Sequence, residues 1–310
     1  MRRNLWVVPT RKRGLLPMSL AIIANPHAGR GRGQRVINTI AGIISERRLD
    51  CELLRTVGPG HAIELALKAS QTHETIAVVG GDGTVNEVLR GMWQTKSTLA
   101  VIPGGTGNDC ARGLGIPREP VAALEAVLTG KTARMDVIQE KDRLFGINST
   151  IGFPSAVLVN VNNRRDSWVK GSAAFFAAVV QTIRELKSYK ASIVVDETRL
   201  ETDIAGVVLM NMPWGGGGLM FAPQARYDDG MISVVIIKSV GRWELMRALP
   251  SVYSGKHVNH PSVEILQGKK VVIETEVPLI KSFDGDLHGM TPYAAEIVPQ
   301  AVSVVVGSGR

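Results

Sequence analysis

Three glycine-rich segments carry the residue types that bind phosphate groups, at residues 25–33, 80–86 and 103–109. The middle one, Gly80-Gly81-Asp82-Gly83-Thr84-Val85-Asn86, follows a β-branched run. Its glycines permit positive φ angles and let a ligand approach the backbone closely. Free N–H groups at the start of a following helix would attract an anion. The segment is therefore predicted to bind phosphate, and a plain glycine turn is the alternative.

Asp82 places a carboxylate inside this anion-binding segment. The carboxylate would repel a bound phosphate unless a cation lay between them. This arrangement favours a metal–phosphate ligand such as Mg-ATP. Two familiar nucleotide motifs are rejected. The dinucleotide fingerprint fails because Gln34 replaces its third glycine, and Gly130-Lys131-Thr132 fails because Glu125 stands where a Walker A loop begins with glycine.

Alternating strands and helices must position these segments. Apolar runs predict strands at residues 20–24, 51–55, 75–79 and 99–102, and apolar periodicity predicts a helix after each one. Thr84 and Glu87 fit a capping box at one helix start. Such alternation predicts a mainly parallel sheet with ligands at the carboxyl ends of its strands, so the three glycine segments should converge.

From about residue 134 the pattern changes to short strands, which predicts an antiparallel β-sandwich. One long helix, near residues 170–187, is expected to interrupt them. The predicted strands are at 135–138, 144–148, 191–195, 204–210, 232–237 and 271–275. The predicted organisation is thus a basic extension over 1–17, an α/β nucleotide-binding domain over 18–133 and a β-sandwich substrate domain over 134–290. The segment near 290–310 is expected to pack back onto the first domain.

Charge and composition exclude several classes of protein. The net charge of +8 lies mostly in residues 1–17, which carry five basic residues and no acid. The remainder is only weakly basic and aromatic residues make up 5% of the chain, so no nucleic-acid partner is expected. The extension is interpreted as disordered or as an over-long start, with contact to anionic lipid as the alternative. Cys51 and Cys110 form no motif, which fits a reducing cytoplasm.

The motifs, taken in order, resemble the diacylglycerol kinase catalytic domain shared by bacterial soluble lipid kinases, sphingosine kinases and ceramide kinases. The motifs are Asn25-Pro26-His27-Ala28-Gly29, residues 80–87, residues 103–112, residues 222–230 and Phe283-Asp284-Gly285-Asp286. The resemblance covers almost everything after residue 18. It implies an NAD kinase/diacylglycerol kinase-like fold and an ATP-dependent lipid kinase that phosphorylates a lipid hydroxyl, with diacylglycerol giving phosphatidic acid as the family default.

The resemblance also implies roles for individual residues. It places Asp82 near the nucleotide phosphates or their metal, and makes Asp286 or Asp284 the base that takes the hydroxyl proton. Structural Mg²⁺ is implied at Arg226, Asp229 and Met231, through the Asp229 carboxylate and main-chain oxygens. The implied ATP-site residues are Asn25, Pro26, His27, Ala28, Gly29, Thr56, Gly80, Gly81, Asp82, Gly83, Thr84, Val85, Asn86 and Thr106.

Two positions depart from the family pattern. Asp286 replaces a glutamate, which shortens the side chain by one methylene, and Pro154 replaces an acidic residue that relatives often carry. The change at Asp286 leaves a non-catalytic nucleotide-binding regulator open as an alternative. An NAD kinase-like small-molecule kinase also stays open, because NAD kinases share the Gly-Gly-Asp-Gly turn and a related fold.

The expected partners are a lipid alcohol and, during turnover, a peripheral membrane surface, and a homodimer is left open. The expected location is cytoplasmic. Residues 173–180 form the longest apolar run, shorter than the ~20 residues of a spanning helix. This run is interpreted as core, with an acyl-chain cleft as the alternative.

Overall fold

The computed structural model describes residues 19–141, 143–163 and 172–307, so the predicted basic extension lies outside the described residues. The first half of the chain forms a parallel sheet in the order β2-β1-β3-β4. Its strands are β1 (Leu20–Ala24), β2 (Cys51–Arg55), β3 (Thr75–Gly80) and β4 (Thr98–Pro103). The predicted α/β unit with a mainly parallel sheet is confirmed.

Five helices cover this sheet: α1 (Arg32–Arg47), α2 (His61–Ala69), α3 (Asp82–Gly91), α4 (Asp109–Gly113) and α5 (Pro120–Thr129). They include two packed pairs, α1 with α5 and α2 with α3. β1 and β3 are buried along their whole length, as expected for strands with both faces covered. A short 3₁₀ helix, Ala28–Gly31, precedes α1.

The second half forms an antiparallel β-sandwich, as predicted. Its strands are β5 (Thr132–Glu140), β6 (Arg143–Phe145), β7 (Asn148–Gly152), β8 (Tyr189–Val195), β9 (Thr198–Met210), β10 (Trp214–Gly215), β11 (Leu219–Met220), β12 (Ile232–Lys238), β13 (Val263–Gly268), β14 (Lys270–Thr275), β15 (Ile280–Phe283), β16 (Asp286–Met290) and β17 (Tyr293–Val305). Apolar side chains from alternate positions, such as Ile193, Val207 and Ile273, form one buried cluster between the strands.

Three helices occur in the described part of this half, where the sequence pattern predicts one. They are α6 (Phe153–Asn163), α7 (Ser172–Arg184) and α8 (Arg242–Val252), and a 3₁₀ helix (Lys256–Asn259) follows α8. The helix predicted near residues 170–187 is confirmed as α7, whereas α6 and α8 were not predicted. α6 mixes β-branched residues with asparagine and has a proline in its first turn, so its periodicity is weak.

These three helices pack on one another around a small apolar cluster of their own. Its buried members are Phe153 and Val157 of α6, Val179 and Ile183 of α7, and Leu245 of α8. Ala178 is also fully buried, which favours the core interpretation for the described side chains of residues 173–180. Within the described ranges, no helix combines the length and apolar character needed to cross a membrane.

The predicted strand at residues 144–148 is wrong, because the chain turns at residues 146 and 147 between β6 and β7. The backbone N–H groups of Gly146 and Ile147 donate to the Asp284 carboxylate instead of to a neighbouring strand. A side-chain acceptor thus competes with the β-ladder at this point.

β17 joins the two halves of the molecule. The first residues of β17 pair with β14, and most of the strand pairs with β5. Val304 also pairs in parallel with Leu99 of β4. Beyond the strand, the N–H of Gly307 donates to the carbonyl oxygen of Leu114, and a side chain at Gly307 would clash with Gly115. The end of the described chain therefore lies against the first half.

Candidate active site

The three glycine-rich loops meet at one edge of the parallel sheet. β1, β3 and β4 are neighbours, so their carboxyl ends lie side by side. A Cβ atom on Gly29 would lie 2.7 Å from the carbonyl oxygen of Gly104, and one on Gly81 would lie 3.2 Å from Cα of Gly105. Backbones this close require glycine. The predicted convergence of the loops is confirmed.

The start of α3 presents backbone N–H groups at this edge. No side chain caps the helix, and its first internal bond runs from the N–H of Val85 to the carbonyl of Gly81. The N–H groups of Asp82, Gly83 and Thr84 therefore have no acceptor within the helix. Nothing lies within 4 Å of the position that a Cβ on Gly83 would take. The free N–H groups and the helix dipole together suit an anion.

Asn25 ties the first loop to the second. Its Nδ2 donates to Oγ1 of Thr84 over 3.0 Å, and its Oδ1 accepts from the N–H of His27 over 2.9 Å. Pro26 and Ala28 are half-buried in the same loop, while His27 is exposed. The structure therefore brings the first two groups of predicted ATP-site residues into direct contact.

The predicted capping box at Thr84 and Glu87 is wrong. α3 begins at Asp82, and the hydroxyl of Thr84 accepts from Asn25. The Glu87 carboxylate instead accepts from the N–H groups of Gly60 and Ala62, over 2.9 and 3.2 Å, at the start of α2. Glu87 thus caps the neighbouring helix.

The remaining predicted ATP-site residues differ in accessibility. Thr106 is exposed, whereas Gly80 is buried and Val85 belongs to the core of the first half. Thr56 is buried at the end of β2, and its N–H donates to the carbonyl of Ala24. Thr106 can therefore contact a ligand directly, while Val85 supports the helix from inside.

Two carboxylates, Asp82 and Asp109, lie close together beside this edge. Asp82 Oδ1 accepts from the N–H of Cys110 over 3.0 Å. Asp109 is almost fully buried and accepts from the N–H of Gly217 and from Arg112 Nη1, over 2.7 and 2.9 Å. Burial, and secondly the charge of Asp82, raise the pKa of Asp109 to about 6. A cation here would relieve the repulsion between the carboxylates.

Gly217 belongs to a glycine run that brings the second half of the chain onto the first. Gly216, Gly217 and Gly218 have φ angles of 61°, 89° and 109° between β10 and β11. Side chains rarely adopt this conformation, so the turn requires glycine. The turn lets the backbone of the second half hydrogen bond to Asp109 of the first.

Asp284 is a fully hydrogen-bonded carboxylate between the two halves. Its Oδ2 accepts from Asn86 Nδ2 and the N–H of Gly146, over 2.8 and 2.9 Å. Its Oδ1 accepts from the N–H groups of Ile147 and Asn148, over 3.0 and 2.9 Å. Four donors occupy the roughly four acceptor sites of a carboxylate. Burial raises the pKa of Asp284 to about 6 against the opposing effect of these bonds. The geometry suits an interdomain clamp better than a proton acceptor.

Asp286 differs from Asp284 in exposure and in partners. It is the first residue of β16 and is exposed. Its carboxylate forms no hydrogen bond or ion pair with other residues in the described ranges. Asp286 is therefore free to accept a proton from a substrate, and it lies two residues from the clamp that holds Asn86 of α3.

The predicted metal-site residues lie in a turn before β12. Asp229 Oδ1 accepts from the N–H of Met231 over 3.0 Å, while Arg226 forms an ion pair with Asp228 over 3.0 Å. Burial, and then the charges of Asp136 and Asp228, raise the pKa of Asp229. In the part of the chain that the structure describes, no three His, Cys, Asp or Glu residues are grouped to hold a metal. Main-chain oxygens and water would have to complete the ligand set, which Mg²⁺ accepts.

Asn211 is a site residue that sequence reasoning missed. Its Nδ2 donates to the carbonyl oxygens of Asp136 and Gly146, over 2.8 and 2.9 Å. The Asp136 carboxylate is fully buried and accepts from the N–H groups of Gly230 and Gln300, both over 2.7 Å. Asn211 and Asp136 thus connect the predicted metal turn to the Asp284 clamp. A polar residue directly after the apolar strand β9 is the signal that could have indicated Asn211.

Two family models match the chain and together cover most of it. The diacylglycerol kinase catalytic domain matches residues 19–139, and the YegS C-terminal NAD kinase beta sandwich-like domain matches residues 149–306. Both ranges agree with the two folded halves described above. The fold and the matched domains define a two-domain kinase of the NAD kinase/diacylglycerol kinase type.

Individual relatives agree with this class. A diacylglycerol kinase of Mycobacterium tuberculosis is 30% identical over 295 residues, covering 91% of this chain and 93% of the relative. A diacylglycerol kinase of Bacillus subtilis is 27% identical over 275 residues, covering 87% and 90%. A crystal structure from Bacillus anthracis, proposed to be of a diacylglycerol kinase, superposes with a TM-score of 0.77 at 25% identity, covering 94% and 98%. The chain belongs to the diacylglycerol kinase catalytic-domain family, which confirms the predicted resemblance.

Proposed function

We propose that the protein transfers the γ-phosphoryl group of ATP to the hydroxyl of a membrane lipid, with diacylglycerol as the acceptor and phosphatidic acid as the product. Membership of the family supports a phosphotransferase, and the relatives named diacylglycerol kinase suggest the acceptor. The contact of Asn86 with Asp284 is the observation that carries the proposal. It joins the phosphate-binding helix α3 to the turn that bears Asp286, over 2.8 Å.

In this mechanism the first half of the chain holds the phosphates. Free N–H groups of Asp82, Gly83 and Thr84 would bind them at the start of α3, and the exposed Thr106 lies on the facing loop. Phosphoryl transfer depends on positioning and on neutralising charge more than on covalent help from the protein. Donors that are already oriented perform this neutralisation without reorganisation.

Asp286 would accept the proton of the lipid hydroxyl. Its carboxylate is exposed and unpartnered within the described residues, whereas all acceptor sites of Asp284 are used. Asp284 would instead hold the β15–β16 turn against α3. The aspartate at 286 is one methylene shorter than the glutamate of the family pattern, so the acceptor must approach the turn more closely.

Asp82 and Asp109 would hold the metal that accompanies the nucleotide, and Asp229 would hold a second, structural ion. Mg²⁺, when bound, supplies positive charge that offsets the charge on the transferred phosphoryl group. The crowding of Asp82 and Asp109, together with the raised pKa of Asp109, fits such an ion. The raised pKa of Asp229 beside Asp136 and Asp228 fits the second.

A panel assay tests the proposal. Purified protein is incubated with radiolabelled ATP and Mg²⁺, and with diacylglycerol, monoacylglycerol, phosphatidylglycerol or a sphingoid base in mixed micelles, or with NAD in solution. We expect label in phosphatidic acid, and little label with the Asp82→Ala or Asp286→Ala variant. Labelling of NAD would contradict the proposal in favour of a small-molecule kinase. ATP binding without labelling of any acceptor would favour a non-catalytic regulator.

A further inference from the structure

Two exposed aromatic side chains lie on α8 and directly after it. Of the aromatic side chains whose exposure the structure describes, two are exposed: Trp243 at 75% and Tyr253 at 59%. Trp243 lies in the first turn of α8, and Tyr253 directly follows the last residue of the helix. Tryptophan and tyrosine are the residues enriched at the boundary between lipid and water.

Basic side chains lie beside these aromatic residues. Arg242 and Arg247 are exposed, and Arg247 follows Trp243 by four positions, which places both on one face of the helix. The opposite face, with Leu245, packs into the helical cluster. An open cavity of about 520 Å³ next to Trp243 is lined by both arginines, His260 and Glu244. Glu244 contacts His260 over 3.4 Å, and neither Arg242 nor Arg247 forms an ion pair with another residue in the described ranges.

A chain of packed elements links this face to the candidate base. α8 packs on α7, and α7 packs on α6. α6 in turn contacts β15 and β16, and β16 begins at Asp286. The helices α6, α7 and α8 therefore form one layer. A surface bound to the outer face of α8 would lie against this layer, which also contacts β15 and β16.

We propose that the α8 face, defined as Arg242, Trp243, Arg247 and Tyr253, docks the protein on an anionic lipid bilayer. This proposal rests on the proposed function, because a lipid acceptor must be taken from a membrane. Aromatic side chains at both ends of the helix would enter the head-group region, while the two arginines bind lipid phosphates. The charge of the face selects anionic lipid over neutral lipid and over an apolar protein partner.

Vesicle sedimentation tests the α8 face with the full-length protein. The variant is Trp243→Ala with Arg247→Glu, and its matched control is Leu67→Ala with Lys68→Glu on α2, where both residues are also exposed. Each pair removes one apolar side chain and reverses one positive charge. Both proteins retain the basic extension, so a difference between them cannot come from residues 1–17. Circular dichroism checks that each is folded.

Wild type and control are expected to sediment with vesicles of phosphatidylcholine and phosphatidylglycerol, and much less with phosphatidylcholine alone. The α8 variant should show a partition coefficient lower by about tenfold or more on the mixed vesicles. Binding of the variant at the wild-type level, an equal loss in the control, or absence of wild-type binding would overturn the proposal. Since sedimentation requires no turnover, selective binding without lipid phosphorylation would refute the proposed function and leave the docking surface supported.

Discussion

Asp284 and Asp286 stand two residues apart and have opposite surroundings. Asp284 accepts four hydrogen bonds, one of them from Asn86 in the other half of the molecule. Asp286 is exposed at the start of β16. The sequence identified both as candidate bases but could not separate them, because the donors at Asn86 and at residues 146–148 are distant in the chain.

Replacing Asp284 with asparagine should weaken the contact between the two halves. The amide nitrogen of asparagine cannot accept hydrogen bonds. The two N–H donors that now bond to one carboxylate oxygen would therefore lose their acceptor. The Asp284→Asn variant should lower the free energy of unfolding by about 1–3 kcal/mol, measured by urea denaturation. Unchanged stability would show that Asp284 is not a clamp.

The buried Asp109 should make stability depend on pH. Its pKa is raised in the folded protein from 3.8 to about 6, so between these values the folded state binds a proton that the unfolded state has lost. The stability that this proton contributes is complete below the unfolded pKa and is lost as pH rises through about 6.

As pH rises between these two values, the free energy of unfolding of wild type should therefore fall relative to that of the Asp109→Asn variant, whose side chain does not titrate. Urea unfolding of both proteins across this range, at constant salt and without nucleotide or metal, measures the difference. A difference that stays constant with pH would contradict the raised pKa.

At the scale of elements, the glycine loops depend on backbone contact. A Cβ atom at Gly105 would clash with Gly81, whereas a Cβ at Gly42 in α1 meets no atom within 4 Å. Gly105→Ala should lower the free energy of unfolding by about 1–3 kcal/mol, by overpacking two backbones. The control Gly42→Ala should raise it by about 0.5–1 kcal/mol, by helix propensity. Equal effects in thermal denaturation would refute the close approach of the loops.

Elements with a strong pattern could be predicted from sequence, and elements shaped by distant partners could not. The strands β1, β3 and β4 could be predicted because helices cover both faces of the sheet, and strands buried on both faces are apolar along their length. The turn at residues 146–147 depends on Asp284, and the role of Glu87 depends on the position of α2. Neither partner is visible in the local pattern.

On the scale of the whole molecule, β17 makes the two halves one structural unit. Ala294 and Ala295 pair with β14 of the sandwich, whereas Val304 pairs with β4 and lies in the core of the first half. Unfolding either half must therefore disrupt a strand that the other half shares. Calorimetry should show one cooperative transition, with calorimetric and van't Hoff enthalpies that agree. Two separate transitions would contradict this coupling.

The placement of the candidate site between the halves could be inferred only from the ordered set of motifs. The glycine loops alone indicate a phosphate-binding edge, and residues 283–286 alone indicate a turn with two acids. Nearly two hundred residues separate Asn86 from Asp284, and no periodicity predicts that they touch. The helices α6 and α8 were likewise missed, because only one helix of the second half has a clear sequence pattern.

The rate of phosphoryl transfer from ATP to diacylglycerol in the Asp286→Asn variant tests the central claim most directly. The account predicts that kcat falls by about 10²–10⁴-fold, because the base is lost, while ATP affinity and the free energy of unfolding stay at wild-type values. Asp286→Glu, which restores the family residue, should retain turnover. A wild-type kcat in Asp286→Asn would contradict the assignment of Asp286 as the proton acceptor.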